Sequence, residues 1–149
     1  MLVRTVLAVS ALAIGVTAAL AQQDPIKARK DLMAANAEKF YGVIGRMQRG
    51  QIPYDQANVD AAIAAVTDNA PKIAAAFASN AMPATQSDYD ASPKIWQNKA
   101  DFDTKATDFV KTITGNRNAI TNIDTLKVAY QNINSSCNAC HELYRVKNR

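Results

Sequence analysis

The 149-residue chain reads as all-α, an antiparallel up-down-up-down four-helix bundle. Three observations predict this class. Four segments carry apolar residues at alternating intervals of three and four, the repeat that lays a stripe along one face of a helix. No segment alternates apolar and polar residues with the two-residue period of a strand. The connectors are mostly short, which sets consecutive helices antiparallel. The length fits one domain, and 48% hydrophobic with 20% charged residues excludes a disordered chain. Two cysteines are too few for a disulfide-stapled miniprotein. The net charge is +4, but the basic residues are scattered among acids and form no stripe that could neutralise a phosphate backbone, so nucleic acid is not an expected partner.

Residues 1–21 stand apart from the bundle. A short opening with Arg4 precedes an uncharged, mostly apolar run, and Ala19-Leu20-Ala21 places small residues at the two positions a signal peptidase reads. The run is marginal for spanning ~30 Å of hydrocarbon and has no charge flanking its far end. Cleavage before Gln22 is therefore expected rather than retention as an anchor. The mature domain, residues 22–149, would be exported to the periplasm of a Gram-negative host without membrane insertion.

Helix A starts at Asp24-Pro25, an N-cap followed by proline in the first turn, and ends before Gly50. Its stripe is Ile26, Met33, Ala37, Phe40, Ile44 and Met47. Helix B runs from Asp55 with Val59, Ile63, Val66, Ala70, Ile73 and Phe77 on one face, and Pro71 predicts a kink rather than a stop. A polar connector spans residues 80–91, with Met82, Pro83 and Asp88. Helix C starts at Ser92-Pro93, carries Ile95, Phe102, Ala106, Phe109 and Ile113, and is expected to stop at Gly115. Helix D extends from about Asn118 to near Lys147, with Ile123, Leu126, Tyr130, Ile133, Cys137, Cys140 and Tyr144 on its stripe.

Chemistry concentrates at one place. Cys137-Asn138-Ala139-Cys140-His141 is the CxxCH string for covalent attachment of c-type haem. On a helix, residues three and four apart share a face, so the two thiols can reach the vinyl groups on one porphyrin edge while His141 projects toward the iron. Other readings fit less well. A Cys137–Cys140 disulfide would close a ring too small to constrain anything, and a thioredoxin-like pair would follow a strand that is missing here. Zinc would require four N or S ligands, whereas two cysteines and one histidine exhaust the supply. Buried structural cysteines beside a chance histidine are the blandest alternative. As His141 is the sole histidine, a second axial ligand from the chain would be methionine or lysine.

An exported four-helix chain with CxxCH near its C-terminus resembles the class II c-type cytochromes, the cytochrome c′ family. The resemblance is carried by Cys137, Cys140, His141 and the nearby Arg145. It implies one covalent haem c between the helices near one end, with helix A facing the side opposite His141. It also implies a redox partner protein and a monomer or a homodimer, the latter paired through helices A and B. The family divides on the sixth ligand. Typical members leave the iron five-coordinate, and the low-spin cytochrome c-556 branch supplies methionine from helix A.

Helix geometry ranks the methionines. Met33 lies eight residues after Pro25 and His141 eight before Arg149, so at 1.5 Å per residue each sits ~12 Å from the same end of the bundle. Met47 lies ~21 Å further along helix A and reads as core. Met82 stays open as an alternative because its connector also falls at the haem end. Small neighbours Ala34, Asn36 and Ala37 leave room for a porphyrin face beside Met33. With His141 and Met33 both bound, the iron would be low-spin and the protein a one-electron carrier. With Met33 unbound, an open distal site would favour nitric oxide or carbon monoxide. Arg145, Lys27, Arg29 and Lys30 are candidate propionate contacts, with solvated charge as the alternative for each. Phe40, Phe102, Tyr130 and Tyr144 are read as core or porphyrin packing, and Trp96 has no assigned role. No second histidine and no nucleophile constellation point to an enzyme.

Overall fold

The computed structural model describes residues 24–85 and 90–146. The expected signal segment 1–21, Asp88 and Lys147 lie outside the described residues. The four rods form the expected antiparallel bundle, with no strand among the described residues beyond an isolated Ala91–Arg145 bridge.

The first rod is α1, Pro25–Ala37, which continues through a π-helical segment, Glu38–Ile44, into α2, Gly45–Gln48. Asp24 caps it as expected, its carboxylate accepting from the Ile26 amide at 2.9 Å. The π segment was not foreseen, because one wider turn leaves the three-and-four spacing of apolar residues almost unchanged. Gly50, at φ +70°, ends the rod in the left-handed region that favours glycine. The second rod is α3, Gln56–Asn69, capped by Asp55. At Pro71 the hydrogen-bond ladder tightens into a 3-10 turn, Ala70–Lys72, and then resumes as α4, Ile73–Ala76, a kink without a stop.

The third rod differs from its expected form at both ends. A short α5, Lys94–Gln97, breaks at Asn98 before α6, Lys99–Arg117. Helix α6 passes through Gly115, whose cost of about 1 kcal/mol the packed helix absorbs, and stops two residues later. The fourth rod, α7, Ile123–Tyr144, begins later than Asn118 because a capping box decides the start. Asn122 Oδ1 accepts from the Asp124 and Thr125 amides, and Thr125 Oγ1 accepts from the Asn122 amide. Its end at Tyr144 is fixed by the chain turning extended, where Ser92 N donates to Tyr144 O at 2.9 Å and Val146 N to Asp90 O at 2.8 Å.

All six stripe residues of the second rod and all five of the third are buried. The first and fourth rods behave differently: Met33, Cys137 and Cys140 are only half-covered and Ala37 is exposed. These incompletely covered stripe residues share one end of the bundle, and they form the wall of a cavity.

Candidate haem cavity

Helix α7 delivers Cys137, Cys140 and His141 on consecutive turns, and all three side chains line one cavity of about 560 Å³. This volume lies within the roughly 300–1,000 Å³ usual for ligand and cofactor sites. The opposite wall comes from the first rod, with Met33, Asn36, Phe40 and Tyr41; the remaining sides come from the second and third rods, chiefly Phe77, Phe102 and Phe109. Most of the surface is apolar. Charge gathers at Arg29, Lys30, Asp90 and Arg145, with Lys105 on α6. The two thiols are not joined to each other. Burial pushes the Cys137 thiol up to about 12 and the Cys140 thiol to about 11, the latter against the pull of Lys105, so both are neutral S–H groups at neutral pH. Two thiols and an imidazole on one helix face, opposite an apolar wall, are the donor set a covalently attached haem requires.

The register of the two walls is fixed by one hydrogen bond. Tyr41 Oη donates to Asn134 Oδ1 at 3.0 Å, and the neighbouring Phe40 ring stacks on Tyr130 with centroids 4.9 Å apart. Because the rods are antiparallel, eight residues back from Tyr41 and seven forward from Asn134 reach the same level. Those residues are Met33 and His141. Met47 is 2% exposed within the core, in agreement with its expected role. Met82 is half-buried but does not line the cavity, although the adjacent Pro83 does.

Among the basic residues near the start of helix A, Arg29 is not the solvated charge that was its alternative reading. It is 4% exposed, its guanidinium lies 5.5 Å from the Phe77 ring centroid and 5.2 Å from that of Trp96, and it donates to the carbonyls of Ser79 and Ala81. Burial lowers its pKa, and the carboxylates of Asp24 and Asp90 oppose that shift. Trp96 thereby gains a role that its off-stripe position did not suggest: it covers Arg29, and its Nε1 donates to Phe77 O at 3.1 Å. Lys27 pairs with Asp31 at 2.5 Å, and Lys30 with the buried Asp90 at 2.7 Å. Arg145 lines the cavity. Phe40, Phe102 and Tyr144 are both core and cavity wall, and Tyr144 Oη donates to Asp101 Oδ2 at 2.5 Å, tying the end of α7 to α6.

Arg29 therefore clamps the connector onto helix A. Substituting Arg29→Ala removes two charge-assisted hydrogen bonds and a cation–π sandwich, for an expected loss of about 2–4 kcal/mol. Denaturant unfolding of the haem-loaded protein measures it, and a loss below about 0.5 kcal/mol would be that of an ordinary surface charge.

Comparison with known proteins agrees with this geometry. A family model described as Cytochrome C′ matches residues 24–145. The chain is 42% identical over 145 residues to cytochrome c-555 of Bradyrhizobium diazoefficiens, covering 97% of each. It is 38% identical over 148 residues to cytochrome c-556 of Rhodopseudomonas palustris, covering 98% of this chain and 99% of the relative. A structure of oxidised R. palustris cytochrome c556 superposes with a TM-score of 0.76 at 38% identity, covering 86% of this chain and 100% of that one. With the match extending over the whole bundle and two cysteines facing a haem-sized apolar cavity, the chain belongs to the cytochrome c′ family and its cofactor is covalent haem c.

Proposed function

We propose that the protein is a periplasmic one-electron carrier. In this reading residues 1–21 direct export, Cys137 and Cys140 would hold the haem through thioethers, and His141 and Met33 would be the protein donors to its iron. Electron transfer through haem c is the activity of the family; the residue roles, the ligation and the compartment are the present reading. The observation that carries it is the convergence of Cys137, Cys140, His141 and Met33 on one cavity, with Met33 and His141 level in the register that Tyr41 and Asn134 define.

When bound, haem supplies an iron that cycles between Fe(III) and Fe(II). The thioether of Met33 is a soft ligand that favours the reduced metal, and the apolar wall disfavours the extra positive charge of the oxidised one. Both residues stand on helices whose rods are tied together beyond the cysteines by the Tyr41–Asn134 hydrogen bond and the Phe40–Tyr130 stack, so a one-electron change calls for little movement of the chain. Arg145, beside His141 on the cavity wall, is the proposed propionate contact. The sole histidine is committed to iron, which leaves none for acid–base work and favours a carrier over an enzyme. The expected partners are redox proteins. No described helix is long and apolar enough to cross a membrane.

Expression in a host with c-haem maturation tests the whole reading. The exported protein is expected to have the mass of residues 22–149 plus one haem, with the added mass on the peptide that contains Cys137 and Cys140, and low-spin spectra in both oxidation states. A bare polypeptide mass overturns it, and a high-spin spectrum replaces it with the open-site reading.

A further inference from the structure

Asn36 is out of keeping with its surroundings. It sits in the interior of α1, is 9% exposed and lines the haem cavity. Its Oδ1 is fully enclosed and accepts no hydrogen bond, and its NH2 donates none. A buried amide left in this state costs about 1–3 kcal/mol, and asparagine is also a weaker helix former than the alanines on either side of it. Four polar side chains on the cavity wall have partners: Arg29 holds the Ser79 and Ala81 carbonyls, Lys30 holds Asp90, Tyr41 holds Asn134 and Tyr144 holds Asp101. Asn36 is built to meet something that the polypeptide around it does not supply until the cofactor is in place.

The helix narrows the choice. Positions three apart on a helix are neighbours, about 5–6 Å between Cβ atoms, so the amide of Asn36 lies within side-chain reach of the Met33 sulfur. By the Tyr41–Asn134 register, Asn36 stands at the level of residue 139, between the two cysteines. The cationic groups that would draw a propionate carboxylate, Arg29 and Lys30, stand one to two turns away toward the start of α1. Oδ1 is enclosed, so the donor end of the planar amide is the end available to the cavity. A coordinated thioether gives one lone pair to the metal and retains a second, which is a weak acceptor.

We propose that Asn36 is a positioning residue for the distal ligand, its side-chain NH2 donating to the retained lone pair of Met33 Sδ and so selecting which lone pair faces the iron. This rests on the assignment of Met33 as ligand. The hydrogen bond gives the NH2 end of the amide a partner once haem fills the cavity and holds the thioether in one orientation, without transferring a proton or an electron.

The test uses the haem-loaded protein, wild type and Asn36→Leu, with carbon monoxide as a competitor for the Met33 position in the Fe(II) state. Loss of one hydrogen bond to the ligand is expected to raise the apparent carbon monoxide affinity about fivefold to tenfold and to shift the Met33 ε-methyl proton resonance. A low-spin wild type in which Asn36→Leu changes neither overturns the proposal and leaves Met33 ligation standing. A high-spin wild type removes both. If Asn36→Leu does not assemble, proton exchange decides: the Asn36 NH2 protons of wild type are expected to be slow and those of Met33→Ala fast, and equal rates overturn the proposal.

Discussion

In Met33→Ala protein the low-spin spectrum is expected to give way to a high-spin one in both oxidation states, with a fall in reduction potential and rapid binding of carbon monoxide to Fe(II). No other group on the wall is as well placed to take over. Met47 is locked in the core, Met82 does not reach the cavity, and Lys30 is held by Asp90. Lys105 does line the cavity, but it stands on α6 facing Cys140 and has no counterpart to the Met33–His141 register. The potential falls because removal of a soft thioether takes away a ligand that prefers Fe(II). Met47→Ala is the control with the opposite signature: a cavity in a closed core, costing about 2–5 kcal/mol, with the low-spin spectrum retained. An unchanged spectrum in Met33→Ala would falsify the assignment and move the ligand to Lys105 or to the connector.

The bundle was readable because its cause is local. Every stripe residue of the second and third rods repeats at helical spacing and every one is buried, so period alone located half of the core. The CxxCH string was equally plain, since covalent attachment demands fixed residues at fixed spacing. Three features escaped for a shared reason: their partners lie far away in the sequence. Arg29 meets carbonyls 50 and 52 residues on, Trp96 covers Arg29 from another rod, and Asp90 is held by Lys30 across the bundle. Boundaries shifted where a cap overruled composition. Asn122 with Thr125 set the start of α7, and Gly115 failed to end α6 because a packed helix tolerates a cost of about 1 kcal/mol. The uneven burial of the first and fourth stripes carries a further lesson. Incomplete burial alone is not the mark, since Ile123 and Tyr130 are also half-covered; stripe residues that are uncovered and line one cavity together, as Met33, Cys137 and Cys140 do, mark where a non-polypeptide group completes the core.

That incompleteness sets the second large effect. Cys137→Ser/Cys140→Ser protein, freed of haem, is expected to lose the fold at the cavity end and retain it at the other. At about 24 cal/mol per Å³, holding a dry void of 560 Å³ would cost on the order of 10 kcal/mol, comparable to the roughly 5–15 kcal/mol stability of an entire domain. The haem-free chain must therefore flood, collapse or open there. Of the residues around the void, Ile73, Phe77, Ala106, Phe109 and Tyr144 keep 5 to 9% exposure, while Val66, Ile95 and Phe102 are already as closed, at 1 to 2%, as Val59, Ile63, Ile113, Leu126 and Ile133 at the other end. Hydrogen exchange reads the difference directly. Amides of α1 and of the last two turns of α7 are expected to exchange within seconds, while those around Ile63, Ile113 and Leu126 remain protected. The Tyr41–Asn134 contact and the Phe40–Tyr130 stack mark the boundary between the two behaviours, since they join the first and fourth rods just beyond the cysteines. Uniform protection in the haem-free protein would mean that the polypeptide closes its own core, and uniform loss would mean that the far end cannot stand without the cofactor; either result contradicts a bundle built half from side chains and half from haem.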